Sequence, residues 1–208
     1  NENADYIVES LVLNTKNNEK LLEMLKSYDK VKSNLIVRFK PAEDPANKNC
    51  VNIEAAEGIQ MCVYILLENH ECIYTTCTFD NAFLNSYNVS FTDCVLDALR
   101  NTEKLYPATA MVFNKEDCAF GIEQISIDEW VDKAKSGEVD PNFLCLSNSE
   151  KSNGSAAVAY PGVLDKISDA MNSDLYLVFT SVHEVMIHSV NQMKKSGFTT
   201  KDLCGILS

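Results

Sequence analysis

One histidine–glutamate pair has neighbours that could take part in hydrolysis. His183 and Glu184 follow shortly after Ser181. If this segment is an extended strand, Ser181 and His183 lie on one face, because alternate side chains share a face. A nucleophilic serine also needs a group that orients the histidine, and Asp174 or Glu184 could supply it. No G-x-S-x-G turn surrounds Ser181, so a hydrolase-like enzyme that uses His183 with Ser181 or Glu184 is the alternative hypothesis. The favoured interpretation is that Ser181 closes a turn and His183 hydrogen-bonds the neighbouring loop.

The same residues do not predict a metal site. On a strand, His183 and Glu184 point to opposite faces, and so do His183 and His188. The two histidines are also about 16 Å apart along an extended strand, which is too far for one ion. The sequence therefore predicts neither a bound metal nor a cofactor.

The loop 147–155, with the sequence SNSEKSNGS, is the second candidate site. Loop amides can bend toward an anion, and Lys151 adds a positive charge. The favoured interpretation is a hairpin turn in which Asn153 and Gly154 supply the positive φ angles. If the flanking strands neighbour the hairpin 174–188, Asn148 and Lys151 come near His183. The sequence then predicts one shared ligand site, formed by Asn148, Lys151, Asn153 and His183.

The segment 142–188 must position both candidates. Its pattern predicts strand, loop, strand, helix, strand, turn and strand, a ββαββ unit in which one strand ends at Tyr160. Pro161 suits the first helical turn, and Val163–Met171 carries an apolar helical stripe. A strand follows at Leu175–Phe179. We expect this unit to organise the sheet.

The rest of the chain alternates hairpins with helices. Gly58–Leu67 and Cys72–Phe79 read as the arms of a hairpin, and Ser90–Thr102 as an amphipathic helix. Ser126–Ser136 has a capping serine and a closing glycine. Tyr6–Leu13 fits a helix or a strand. This order predicts an α+β fold: a single domain over residues 1–208, with a mixed but mainly antiparallel sheet and flanking helices.

Charge and composition exclude several function classes. The net charge is −12, the pI is about 4.6, and the arginines are Arg38 and Arg100 alone. Nucleic-acid binding is therefore not expected. The longest apolar run, Met61–Leu67, is far shorter than a membrane span. The eight cysteines are irregularly spaced and form no C-x-x-C, so reduced thiols in a cytoplasmic protein are expected.

Several motifs resemble a bacterial family common in gut Clostridia, the domain of unknown function 5688. They are Leu146–Asn148, Lys151, Asn153-Gly154, Ala156-Ala157, Tyr160–Leu164, Ser173–Tyr176 and Ser181–Val185. Leu13–Leu22 and Asn101–Ala108 resemble its other motifs. Residues 1–57 are the more divergent N-terminal part. Within them the segment 30–57 is idiosyncratic, and Ala55-Ala56-Glu57 stands where members of the family usually have Pro-His-Arg. The resemblance implies membership of the family but no reaction.

The expected function is a non-catalytic cytosolic binding or regulatory role. Its partner would be an unknown protein or a small-molecule ligand, with no nucleic acid and no membrane. An accessory protein of a phage or mobile element would have the same sequence features. The hydrolase-like enzyme remains the alternative.

Overall fold

A computed structural model describes residues 18–70, 73–113, 122–199 and 201–202. The chain divides into two compact units, residues 1–101 and 102–208. Both contain helices and antiparallel strands, which confirms the α+β prediction. The strands form two sheets, however, where one central sheet was expected. That the chain is a single domain stays a prediction.

The first unit is built on the long strand β3. Its elements are α1 (residues 18–24), α2 (Tyr28–Val31), β1 (Leu35–Pro41), β2 (Asn52–Ala56), β3 (Ile59–His70), β4 (Ile73–Thr78), α3 (Asn81–Ser86) and the start of α4 (Phe91–Leu105). β1 pairs along one side of β3, while β2 and β4 share the other side. β3 has neighbouring strands on both sides, and every residue of Met61–Leu67 is buried. Since successive side chains point to opposite faces, both faces of β3 are covered along this stretch.

Two predictions for this unit are confirmed. The predicted hairpin is the β3–β4 pair, and the predicted amphipathic helix is α4, which Ser90 caps by accepting a hydrogen bond from the Asp93 amide. Asp80 caps α3 by accepting a hydrogen bond from the Ala82 amide. Strand β2 was not predicted, because its alternation is obscured by Glu54 and two alanines. Tyr6–Leu13 lies outside the described residues.

The second unit contains a five-stranded sheet in the order β6-β5-β7-β9-β8. Every neighbouring pair is antiparallel. After α4 come β5 (Ala108–Phe113), β6 (Ile122–Ser126), α5 (Ile127–Ser136), β7 (Phe143–Asn148), a 3-10 helix (Gly154–Ala159), α6 (Val163–Met171), β8 (Leu175–Phe179), β9 (Val185–Ser189) and α7 (Val190–Ser196). Ser126 caps α5 by accepting from the Glu129 amide, as its sequence predicts.

One sheet face of this unit carries its core. Leu144 and Leu146 of β7 lie opposite Ile187 and Val185 of β9, and all four are buried. The 3-10 helix contacts β7 and β9, α5 contacts β5 and β6, and α6 contacts both the 3-10 helix and α5. Trp130 of α5 is fully buried here.

The predicted ββαββ unit is wrong in its second strand. The segment that should be a strand ending at Tyr160 is the 3-10 helix Gly154–Ala159. β7 already has β5 on one side and β9 on the other, so no strand position beside β7 is free. Ala156 and Ala157 are fully buried, and alanine has little preference for strands. The small side chains instead let this segment lie close against the sheet.

Candidate functional site

Two loops meet where β7 and β9 pair. Residues 149–153 follow β7 and residues 180–184 join β8 to β9; together they are called the paired loops here. The Ser147 hydroxyl donates to the His183 carbonyl at 2.8 Å, and the Asn153 amide donates to His183 Nδ1 at 3.1 Å. The register Leu146↔Val185 places these loops at the same end of the sheet. The two candidate segments therefore lie side by side.

His183 lies in a turn and not on a strand, because residues 181–183 form a bend. Its backbone amide donates to the Ser181 hydroxyl at 3.0 Å. The segment is therefore not extended, and the interpretation in which Ser181 closes a turn and His183 bonds the neighbouring loop is confirmed. The His183 side chain is exposed, and its Nδ1 accepts the Asn153 amide. In the neutral imidazole one nitrogen accepts and the other donates, so Nε2 carries the proton.

The carboxylates proposed to orient His183 lie elsewhere. Glu184 lies beside the thiol of Cys145, on the neighbouring strand β7, and its backbone carbonyl accepts from the Thr180 hydroxyl at 3.4 Å. Asp174 precedes β8, whereas the paired loops follow it. The length of this strand separates Asp174 from His183 by roughly 16 Å. In the described part of the chain, the hydrogen bonds of the imidazole include no serine, cysteine or carboxylate.

Burial and the nearby Glu184 carboxylate raise the pKa of the Cys145 thiol to about 12. A thiol held protonated in this way is a poor nucleophile. Cys145 is therefore a buried thiol that its surroundings keep protonated.

The raised pKa of Cys145 makes stability depend on pH. The ordinary pKa of the thiol, which applies to the unfolded chain, is about 9, while the pKa in the folded state is about 12. Above pH 9 the folded state therefore holds more protons, and this contribution to stability falls as the pH rises. We expect the difference in unfolding free energy between wild type and Cys145→Val to be constant below about pH 8.5 and then to shift against the wild type.

Urea unfolding of both proteins between pH 7 and about pH 10.5 measures this difference. Tyrosines and lysines titrate in the same range but are common to both proteins, so their contributions cancel. A difference that stays constant through pH 10 would contradict the raised pKa.

The Asn148 side chain stabilises the first of the paired loops through hydrogen bonds to its backbone. Its side chain is buried, with 1 % of the residue exposed. Oδ1 accepts from the amides of Glu150 and Ser152 at 3.1 and 3.3 Å, and Nδ2 donates to the Ser152 carbonyl at 2.9 Å. Its carbonyl accepts from the Gln124 amide group at 2.6 Å. Asn148 therefore holds the loop through these hydrogen bonds, and its contact with a ligand stays a prediction.

Lys151 and Asn153 shape the same loop with left-handed backbone conformations, at φ values of 54° and 51°. The Lys151 side chain is exposed. Asn153 directly precedes the 3-10 helix, as its N-cap residue, and is half-buried. Both residues thus belong to the first of the paired loops, and the Asn153 amide contacts His183.

The hairpin-turn interpretation of Asn153-Gly154 is wrong. The loop leads from β7 into the 3-10 helix, and only Asn153 has a positive φ. Glycine is needed at position 154 because its backbone lies very close to Ser147, Asn148 and His183. A Cβ at this position would lie 2.3 Å from Ser147 Oγ, 2.5 Å from the His183 carbonyl oxygen and 2.7 Å from the Asn148 nitrogen. No larger residue fits without moving the paired loops.

Sequence reasoning missed the residues that join the loops. Ser147 bonds His183, and Ser155 donates from both its hydroxyl and its amide to the Val182 carbonyl at 2.8 and 3.3 Å. The run of small residues from Gly154 to Ala157 was the available signal, since such a run permits close backbone approach.

The described residues hold no group of three or more histidine, cysteine or acidic side chains that could bind a metal ion. His188 lies in β9, where its ring packs on Phe143 at 4.9 Å and burial lowers its pKa.

The described cysteines Cys50, Cys62, Cys77, Cys94 and Cys145 have free thiols. Within those same ranges, no helix has both the length and the apolar character needed to cross a membrane.

Comparison with known proteins identifies the family but no activity. A family of unknown function, DUF5688, matches residues 1–201. The chain belongs to this family. Neither curated proteins nor solved structures gave a match.

Proposed function

We propose that this member of the family is a non-catalytic binding or regulatory protein of the cytosol, and that the paired loops contact its ligand. The hydrogen bond from the Asn153 amide to His183 Nδ1 carries the proposal. It holds the exposed imidazole in one orientation across two loops, with Nε2–H as a donor. A fixed donor suits recognition, because little side-chain freedom is lost when a ligand binds.

The chemistry of the paired loops favours a ligand with an acceptor group such as a carboxylate. The exposed His183 Nε2–H and the exposed Lys151 ammonium both donate, and charge-assisted hydrogen bonds to carboxylates are stronger than neutral ones. The net charge of −12 repels anions at long range. Recognition must therefore come from short-range contacts at these loops.

The contacts of the residues proposed for hydrolysis, Ser181, Glu184 and Asp174, support a binding role for the paired loops. The Ser181 hydroxyl accepts from the His183 amide and so helps to form the turn. Glu184 lies beside Cys145, and Asp174 lies beyond the far end of β8. A serine hydrolase needs the imidazole to bond the nucleophile and a third group to orient that imidazole. Here a backbone amide occupies Nδ1, the position of the orienting group.

A thermal-shift screen with acetate, succinate and citrate tests the proposal, because a ligand that binds the native state raises its apparent stability. We expect at least one of these acids to raise the melting temperature. Lys151→Ala should weaken its binding about tenfold, since a hydrogen bond to a charged group contributes about 1.5 kcal/mol. Lys195→Ala, which removes an exposed lysine from α7, is the matched control and should leave binding unchanged.

Two results would contradict the proposal. One is a bound acid whose affinity is equal in wild type, Lys151→Ala and His183→Ala. The other is hydrolysis of p-nitrophenyl acetate that is lost in both Ser181→Ala and His183→Ala while Lys195→Ala retains it, which would favour the hydrolase alternative.

A further inference from the structure

The hydrogen bond between the side chain of His183 and the first of the paired loops depends on the protonation state of the imidazole. The Asn153 amide donates to His183 Nδ1 at 3.1 Å. Nδ1 can accept only in the neutral imidazole, because both ring nitrogens of a protonated imidazole carry hydrogen and donate. Protonation would therefore set two N–H donors against each other at this distance. The bond can exist only while the ring is neutral.

The surroundings of His183 allow the ring to take up a proton and to leave the Asn153 amide. The residue is exposed, so water can hydrate the ring in its charged form. Its backbone is held separately, since its amide donates to the Ser181 hydroxyl at 3.0 Å and its carbonyl accepts from the Ser147 hydroxyl at 2.8 Å. The imidazole can thus move while the backbones of the paired loops stay in contact.

Three charged side chains belong to the described segments that contact His183. They are Glu150 and Lys151 on the first of the paired loops and Glu184 on the second. Strand β7 contributes the Cys145 thiol, whose pKa of about 12 keeps it uncharged, and the 3-10 helix has no ionisable side chain. Carboxylates and ammonium groups ordinarily keep their charge between about pH 5 and pH 8, whereas histidine changes its charge in that range. Of these described groups, His183 is therefore the one that responds to pH there.

We propose that the hydrogen bond from Asn153 to His183 is a latch that opens when the imidazole gains a proton. Near pH 8 the neutral ring is held by the Asn153 amide. Near pH 5 the charged ring turns into solvent, and the Asn153 amide is released. The opening of the latch requires no ligand, while its effect on ligand binding rests on the proposed function of the paired loops.

An open latch changes what the paired loops offer to a carboxylate. The neutral ring has a single uncharged donor at Nε2, whereas the protonated ring has two donors and a positive charge. The released Asn153 amide adds a further donor. Charge-assisted hydrogen bonds to a carboxylate are about twice as strong as neutral ones. If the paired loops bind carboxylates, protonation of His183 therefore strengthens that binding about tenfold.

NMR of the ligand-free full chain between about pH 8 and pH 5 tests the latch itself. We expect the His183 ring nitrogens and the Asn153 amide to shift with one midpoint, and the coupling between them to vanish as the ring is protonated. The amides of Glu150 and Ser152 are the internal control, because they donate to Asn148 Oδ1. An Asn153 amide that does not respond to protonation of the ring, or a ring that stays neutral at about pH 5, would overturn the proposal.

Acetate titration at about pH 8 and about pH 5.5 tests the effect of the latch on binding. We expect the wild type to bind acetate about tenfold more tightly at the lower pH. His183→Gln is the matched variant, since glutamine is polar but does not titrate, and its acetate affinity should be the same at both pH values. Equal affinity of the wild type at both would overturn the effect on binding. Absence of acetate binding at both would instead contradict the proposed function, and the ligand-free titration would still decide on the latch.

Discussion

Gly154→Ala is expected to lower the free energy of unfolding by about 3 kcal/mol, near the top of the range for overpacked cores. The new Cβ would lie 2.3 Å from Ser147 Oγ, 2.5 Å from the His183 carbonyl oxygen and 2.7 Å from the Asn148 nitrogen. Two of these atoms belong to the backbone and cannot turn away. The substitution therefore forces the 3-10 helix away from the paired loops.

Urea unfolding followed by the fluorescence of Trp130, the only tryptophan, measures this change in the second unit. Gly137→Ala is the control. Its φ of 82° strains alanine, but no atom lies within 4 Å of the new Cβ. We expect a loss of about 1 kcal/mol there. Equal losses in the two variants would show that close packing at Gly154 is not what requires glycine.

Trp130→Ala is expected to cost about 4 kcal/mol. Trp130 is fully buried on α5 and is the largest side chain of the second unit's core. It borders a cavity of about 220 Å³, which is also lined by Met111, Val112, Glu138, Val139, Asp140 and Phe143. The substitution enlarges an existing space, and the loss of stability grows with the volume left empty.

Circular dichroism during urea unfolding measures the effect of Trp130→Ala, since this variant lacks the fluorescent probe. Phe198→Ala is the matched aromatic control. Phe198 is half exposed, so its truncation should cost at most about 1 kcal/mol. A loss below about 1.5 kcal/mol for Trp130→Ala would contradict its role as the centre of this core.

Local signals in the sequence predicted most elements of the fold. Ser126 with Glu129 and Gly137 marks both ends of α5, and the stripe from Val163 to Met171 marks α6. These elements depend on neighbouring residues, which a sequence pattern contains. The prediction of the strand ending at Tyr160 failed, because strand order decides whether a segment can join a sheet.

The candidate site was predicted in its location and in part of its hydrogen bonding. The sequence placed Asn148, Lys151, Asn153 and His183 near one another if the flanking strands were neighbours, and the β7–β9 pairing provides that condition. The sequence also predicted a turn closed by Ser181 and a hydrogen bond between His183 and the neighbouring loop. It did not predict which atoms form that bond, because this depends on the close approach of Gly154, which arises from tertiary packing.

The central claim is that the Asn153 amide holds His183 through Nδ1, which leaves Nε2–H to face a ligand. Long-range ¹H–¹⁵N NMR of the neutral His183 imidazole tests it directly, because the two tautomers give distinct nitrogen shifts. The claim predicts a protonated Nε2, an unprotonated Nδ1 and a coupling across the hydrogen bond to the Asn153 nitrogen. A protonated Nδ1, with no coupling to Asn153, would contradict it.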